Sequence, residues 1–119
     1  MKLYSFTGSC GLAAHIVLGW IGQPFDVQLM DKADLKKPEY LKLNPMGKVP
    51  LLDDDGFILS ENAAVLTYLG DKHPEAKLLG DGSIKGRAVV DHWIGFLNSE
   101  VHPAYKPLFG ATAYLEDQA

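Results

Sequence analysis

The chain has 119 residues, a formal net charge of −4 and 47% hydrophobic side chains, which suits one ordinary domain or one small domain plus part of another. Acidic and basic residues are interspersed with no basic patch, which argues against nucleic acid, and the longest apolar stretch, Leu12 to Ile21, is broken by His15 and Gly19 and is too short to span a bilayer. No signal-peptide pattern is visible at the N-terminus, and a single cysteine, Cys10, excludes an internal disulfide, so a reducing compartment, most simply the cytoplasm, is expected.

Lys2 to Phe6 alternates apolar and polar residues and ends at Thr7-Gly8, which predicts a strand and a turn. Ser9 or Cys10 then caps a helix carrying Leu12, Ala13, Ile16, Val17 and Trp20, closed by Gly22 and Pro24. Phe25 to Met30 alternates again as a second strand. Asp31 to Leu43 is charged, with Leu35, Tyr40, Leu41 and Leu43 as apolar contacts, and predicts an irregular helix broken near Pro38. Asn44-Pro45 and Met46-Gly47 are turn chemistry. Val49 must be extended before Pro50, and Pro50 stands at the tolerated first position of a third strand, Val49 to Asp53. Spacing alone makes Pro50 an ordinary trans proline, since few X-Pro bonds are cis.

Asp54-Asp55-Gly56 signals a hairpin into a fourth strand, Phe57 to Leu59. Ser60 is expected to cap a helix from Glu61 to Lys72, stopped by His73-Pro74. The order β-α-β-α-β-β-α predicts a mixed four-stranded α/β sheet over residues 1–75, the crossover giving a parallel pair and the hairpin an antiparallel one. Residues 76–83 form a polar, glycine-bearing linker. Residues 84–119 begin an all-helical region: Val89, Val90, Trp93, Ile94, Leu97 and Val101 share one side of a long helix, Pro103 and Pro107 bend or end it, and residues 111–119 open another helix. An apolar stripe of this kind predicts a partner chain or further helices to cover it.

Few residues suggest chemistry. Cys10 stands at the first turn of a helix, where free N–H groups and the helix dipole favour thiolate; it is a candidate nucleophile, or else a small buried cysteine. Glu61 and Asn62 open a helix whose N–H groups could hold a carboxylate while Glu61 accepts from an ammonium, or Glu61 simply complements the dipole. His102, after Glu100 and before Pro103, could serve a thiolate or carry a proton, or favour the helix C-terminus. His15 reads as structural, His73 as a helix stop and His92 as solvent-facing. No cluster has metal-ligand spacing, and there is no Cys-x-x-Cys, GxGxxG or P-loop.

In combination these segments resemble the glutathione transferase superfamily. The stretches that carry the resemblance are Met1-Lys2-Leu3-Tyr4, Asn44-Pro45-x-Gly47-x-Val49-Pro50 and Leu59-x-Glu61-x-x-Ala64-Val65-x-x-Tyr68-Leu69. Gly8-Ser9-Cys10-x-Leu12-Ala13-x-His15-Ile16, with Trp93, Glu100-Val101-His102 and Pro107-Leu108-Phe109, looks most like the bacterial beta class, the cysteine type. The resemblance implies a thioredoxin-like N-terminal domain followed by an all-helical one, usually in a homodimer. It implies a cis-Pro50 with the Val49 backbone pairing to the cysteinyl part of glutathione. Glu61 and Asn62 would meet the γ-glutamyl group, Cys10 and His102 the sulfur, and Glu100 the glutathione of a neighbouring subunit. Asn62 stands where serine is common in the superfamily, and Pro103 where many beta-class members have a basic residue.

Two functions are consistent with this pattern. One is an enzyme that uses glutathione as co-substrate, without metal, to detoxify small hydrophobic electrophiles, with thiol-transferase or peroxidase chemistry open to Cys10. The other is a truncated, non-catalytic module of transferase fold, since the family continues through several more helices.

Overall fold

A computed structural model describes residues 1–109; the helix expected over residues 111–119 lies outside the described residues. Strand β1 (Lys2–Phe6) leads into helix α1 (Gly11–Ile21) and strand β2 (Asp26–Met30). A 3-10 turn over Asp34–Lys36 precedes α2 (Pro38–Leu43). The hairpin β3 (Leu51–Asp54) and β4 (Phe57–Ser60) follows, then α3 (Asn62–Lys72). The sheet order is β2-β1-β3-β4, with β1 parallel to β2 and antiparallel to β3, and β3 antiparallel to β4. This is the mixed four-stranded sheet that the alternation and turn residues predict.

The period-2 pattern of β1 sorts its side chains between two cores. Leu3 packs with Ala14, Leu18, Leu52, Val65 and Leu69 beneath α1 and α3. Tyr4 faces the other way, against Met30, Tyr40 and Leu51 beneath α2. Each fully buried leucine contributes about 2 kcal/mol from removal of its apolar surface from water. Gly11 lets α1 start hard against β1, because a Cβ there would stand 2.4 Å from Ser5 Oγ. That contact fixes where Cys10, the residue before it, is held.

Three local expectations are corrected. Ser60 is the last residue of β4, and the cap position of α3 belongs to Glu61, at φ 70°, with no side-chain cap bond. The third strand begins at Leu51, because Val49 and Pro50 lie in the approach to the sheet. The Val49–Pro50 peptide is cis, where spacing alone favours trans. The break expected near Pro38 is present: the 3-10 turn ends at Lys36, Lys37 is extended, and Pro38 takes the first position of α2, which suits proline.

Past α3, the chain runs through Pro74–Ala76 and a linker with positive φ at Lys77, Gly80 and Gly82 into α4 (Ile84–Phe96). Ser83 caps α4, accepting the Gly86 N–H at 2.9 Å. The helix widens into a π-turn at Leu97–Val101 and resumes as α5 (His102–Ala104). Arg87 ties α4 to α3 through Asp71 at 2.8 Å. No residue of α4, the π-turn or α5 is buried, and Val89, Trp93 and Leu97 are exposed, so the predicted apolar stripe is only partly covered. No described helix is long and apolar enough to cross a membrane.

Candidate functional site

The loop between α2 and β3 forms one wall. Asn44, 4% exposed, donates from Nδ2 to the Lys48 carbonyl at 2.8 Å and accepts the Met46 N–H on Oδ1 at 3.1 Å. The Tyr40 hydroxyl donates to the same Lys48 carbonyl at 2.6 Å. Two donors on one carbonyl hold the chain just before Val49 and Pro50. Gly47 (φ 58°) has no substitute here, since a Cβ would approach the Leu35 carbonyl oxygen to 2.9 Å. Burial of the Tyr40 hydroxyl pushes its pKa up to about 12, so it stays a donor.

Cys10, Asn44, Lys48, Val49, Pro50, Ser60, Glu61, Asn62, Asn98 and His102 line a crevice of about 220 Å³ against this loop. The crevice thus gathers Cys10, Val49, Pro50, Glu61, Asn62 and His102 from four separate segments. Glu100 is exposed on the π-turn and is not among its lining residues. A second cavity, about 500 Å³ and mostly apolar, adjoins it and is walled by Leu12, Ile16, Leu66, Ile94, Leu97 and Tyr105 among others. Cys10, Asn62, Asn98 and His102 belong to both cavities, so they mark where a polar crevice meets an apolar one.

The electrostatics at Cys10 differ from the sequence expectation. Burial pushes the thiol up; a backbone hydrogen bond at the helix start lowers it, and the Glu61 carboxylate raises it further. The net direction is upward, so the resting group is a thiol, and its Sγ lies 3.9 Å from the Val49 carbonyl oxygen, which it meets as a weak S–H donor. The helix N-terminus is present as predicted, but desolvation outweighs it.

Glu61 and Asn62 have the marks of a ligand-facing pair. Glu61 carries positive φ on a non-glycine residue, a conformation that costs roughly 1–3 kcal/mol and concentrates at binding sites. Asn62 Oδ1 is buried with no hydrogen-bond partner in the protein, an acceptor open to a ligand's N–H. Lys48 adds a cation and Glu61 an anion to the lining of the crevice. Among the described residues no cluster of His, Cys, Asp and Glu could hold a metal ion.

Four contributors escaped the sequence reading. Asn98 lies one helical turn before His102, and that spacing could have revealed it. Lys48 sits inside the stretch already singled out. Asn44 and Tyr40 act through a carbonyl, and nothing in a side-chain pattern shows that.

Comparison with known proteins agrees with this geometry. Residues 3–77 match the family model for the glutathione S-transferase N-terminal domain. Glutathione S-transferase GST-4.5 of Xanthomonas campestris is 50% identical over 119 residues, which are all of this chain and 58% of that protein. The glutathione S-transferase from Xylella fastidiosa superposes with TM-score 0.93 at 52% identity, covering 98% of this chain and 57% of that one. The bacterial beta class enzyme of Sphingomonas chungbukensis gives TM-score 0.80 at 42% identity, covering 92% and 56%. The chain therefore spans somewhat more than half the length of these relatives. By its N-terminal domain, its fold and these likenesses, the chain belongs to the glutathione S-transferase family and is most like the bacterial beta class.

Proposed function

We propose that the chain binds glutathione along the crevice beside Pro50 and brings its sulfur to the junction of Cys10 and His102, facing an electrophile in the apolar cavity. The observation that carries this reading is that the polar crevice and the apolar cavity share Cys10, Asn62, Asn98 and His102. The γ-glutamyl group goes to Glu61, Asn62 and the N–H groups at the start of α3, where the helix dipole favours a carboxylate. Lys48 complements glutathione's other carboxylate, and the Val49 backbone pairs with the cysteinyl residue.

The chemistry is transfer of the glutathione sulfur. The thiol gives up its proton, with His102 within the crevice to hold it, and the thiolate attacks an electrophilic carbon to form a C–S bond, while a leaving group departs with its electron pair or an activated double bond opens to a carbanion that takes the proton back. The protein contributes orientation and stabilisation of the anion. A raised Cys10 pKa supports the cysteine as an S–H donor to that thiolate, hence conjugation ahead of thiol transfer. In the thiol-transfer alternative the Cys10 thiolate attacks the sulfur of a glutathione mixed disulfide and releases the other thiol. A second glutathione thiolate then cleaves the Cys10–glutathione bond and leaves as glutathione disulfide. Detoxification of electrophiles in a reducing cytoplasm fits a site built on free thiols. Exposed Val89, Trp93 and Leu97 support a homodimer, with Glu100 reaching towards the neighbouring subunit's glutathione.

A second reading, a glutathione-binding module without turnover, is favoured by the absence of any buried residue along α4, whose face walls the electrophile cavity. Titration with glutathione, followed by conjugation and glutathione-disulfide reduction assays with Cys10→Ala as control, separates the two. Conjugation that survives Cys10→Ala at a reduced rate supports the donor role over a nucleophilic one. Binding without turnover selects the module, and no binding overturns both. Sedimentation of the chain checks the dimer.

A further inference from the structure

Helix α4 does not reach His102 as an unbroken α-helix. The His102 N–H bonds the Leu97 carbonyl, five residues back, and closes the π-turn. In a straight α-helix His102 would stand about 80° around the axis from Ile94. The extra residue in the turn returns it to within about 20°, and Val101 moves off the position it would otherwise occupy. Ile94 walls the apolar cavity, and His102 lines both cavities, whereas Val101 reaches only the apolar one.

The next residue supplies the cause. Pro103 has no N–H for the Ser99 carbonyl, and its ring collides with that carbonyl in a regular helix. A widened turn ahead of the proline relieves both. We propose that Pro103 is a positioning residue: by holding the Leu97–Val101 turn open, it rotates His102 into the crevice beside Cys10 and Asn62. The inference deepens the glutathione reading and rests on it for its functional consequence, while its structural part is independent.

The test compares the wild-type chain with Pro103→Ala, with His102→Val, and with the triple variant Pro103→Ala, Val101→His, His102→Val. Alanine is the best helix former, so Pro103→Ala keeps a helix here. Crystal structures read which carbonyl the residue-102 N–H bonds. Ultraviolet titration of the bound glutathione thiolate, with the dissociation constant, reads the consequence. In Pro103→Ala the bond is expected to move to the Asn98 carbonyl. Affinity for the thiolate form should fall about tenfold, as for His102→Val, the loss of one charge-assisted hydrogen bond. The triple variant, with histidine moved to the position a straight helix turns inward, should recover to within about twofold. A merely structural proline would not permit that rescue. Retention of the Leu97 bond in Pro103→Ala, or no recovery in the triple variant, overturns the inference. If the wild type binds no glutathione, the functional reading falls, and the hydrogen-bond register of Pro103→Ala still decides the role of Pro103.

Discussion

The two walls of the crevice are built to different standards. On the sheet side, Lys48 and Val49 hang from a carbonyl with two donors, over buried Tyr40, Asn44 and Pro50, beside the fully buried Leu51 and Leu52. On the helical side, Asn98 and His102 follow a helix with no buried residue, held to α3 by the exposed Arg87–Asp71 pair, while Arg87–Asp91 is a pair within α4. Exposed ion pairs of that kind contribute about 0–1 kcal/mol, whereas a satisfied buried polar network costs far more to disrupt. The wall assigned to the constant ligand, glutathione, is rigid. The helical wall, which the proposed electrophile cavity shares, is the more loosely packed of the two.

The contrast is broken or sharpened by a graded set of substitutions. Leu52→Ala, in the core beneath the sheet wall, should cost about 2–5 kcal/mol, against no more than about 0.5 kcal/mol for Asn98→Ala, exposed on the helical wall. Urea unfolding measures both, and equal losses would remove the asymmetry. Asn44→Ala removes one donor from the Lys48 carbonyl and the acceptor for the Met46 N–H, and should cost about 1–3 kcal/mol with weakened glutathione binding. Unchanged affinity would mean that the loop does not need the network.

A third substitution tests what seats α3, the element the two walls share. Buried Asp54 accepts from the Tyr68 hydroxyl and from Lys72, which hold its carboxyl below the usual range. A lowered folded-state pKa stabilises at pH above the unfolded value and is lost as pH falls through the folded one. Asp54→Asn should therefore destabilise by about 1–2 kcal/mol at pH 7, and the two proteins should converge only as pH falls below the ordinary aspartate range. A gap that persists in acid would contradict the ion pair's role. The smallest effect is electrostatic. Alkylation of Cys10 should have its pH midpoint above that of a free cysteine, and Glu61→Gln should lower it, since a nearby negative charge is removed. A midpoint below that of free cysteine would restore the thiolate expected from the helix start.

What the sequence by itself determined was whatever depends on neighbours in the chain. The alternation in Lys2–Phe6, the 3.6-residue spacing from Leu12 to Val17, the Asp55-Gly56 turn and the order of elements were enough for the sheet and its helices. The resemblance to the transferase superfamily added a short list of site residues, of which the fold gathers all but Glu100 from four segments. Tertiary structure decided what depends on distant groups. The Cys10 pKa is pushed up because packing removes the thiol from water and sets Glu61 beside it, fifty-one positions away in sequence. Glu61 takes a positive φ because β4 must turn directly into α3, displacing Ser60 from the cap. The cis geometry before Pro50 departs from the local preference, and the partners of the Lys48 carbonyl are visible only once α2 folds over the loop. Local chain preferences carry propensity and period. Desolvation, backbone strain and carbonyl partners exist only when the chain has closed on itself.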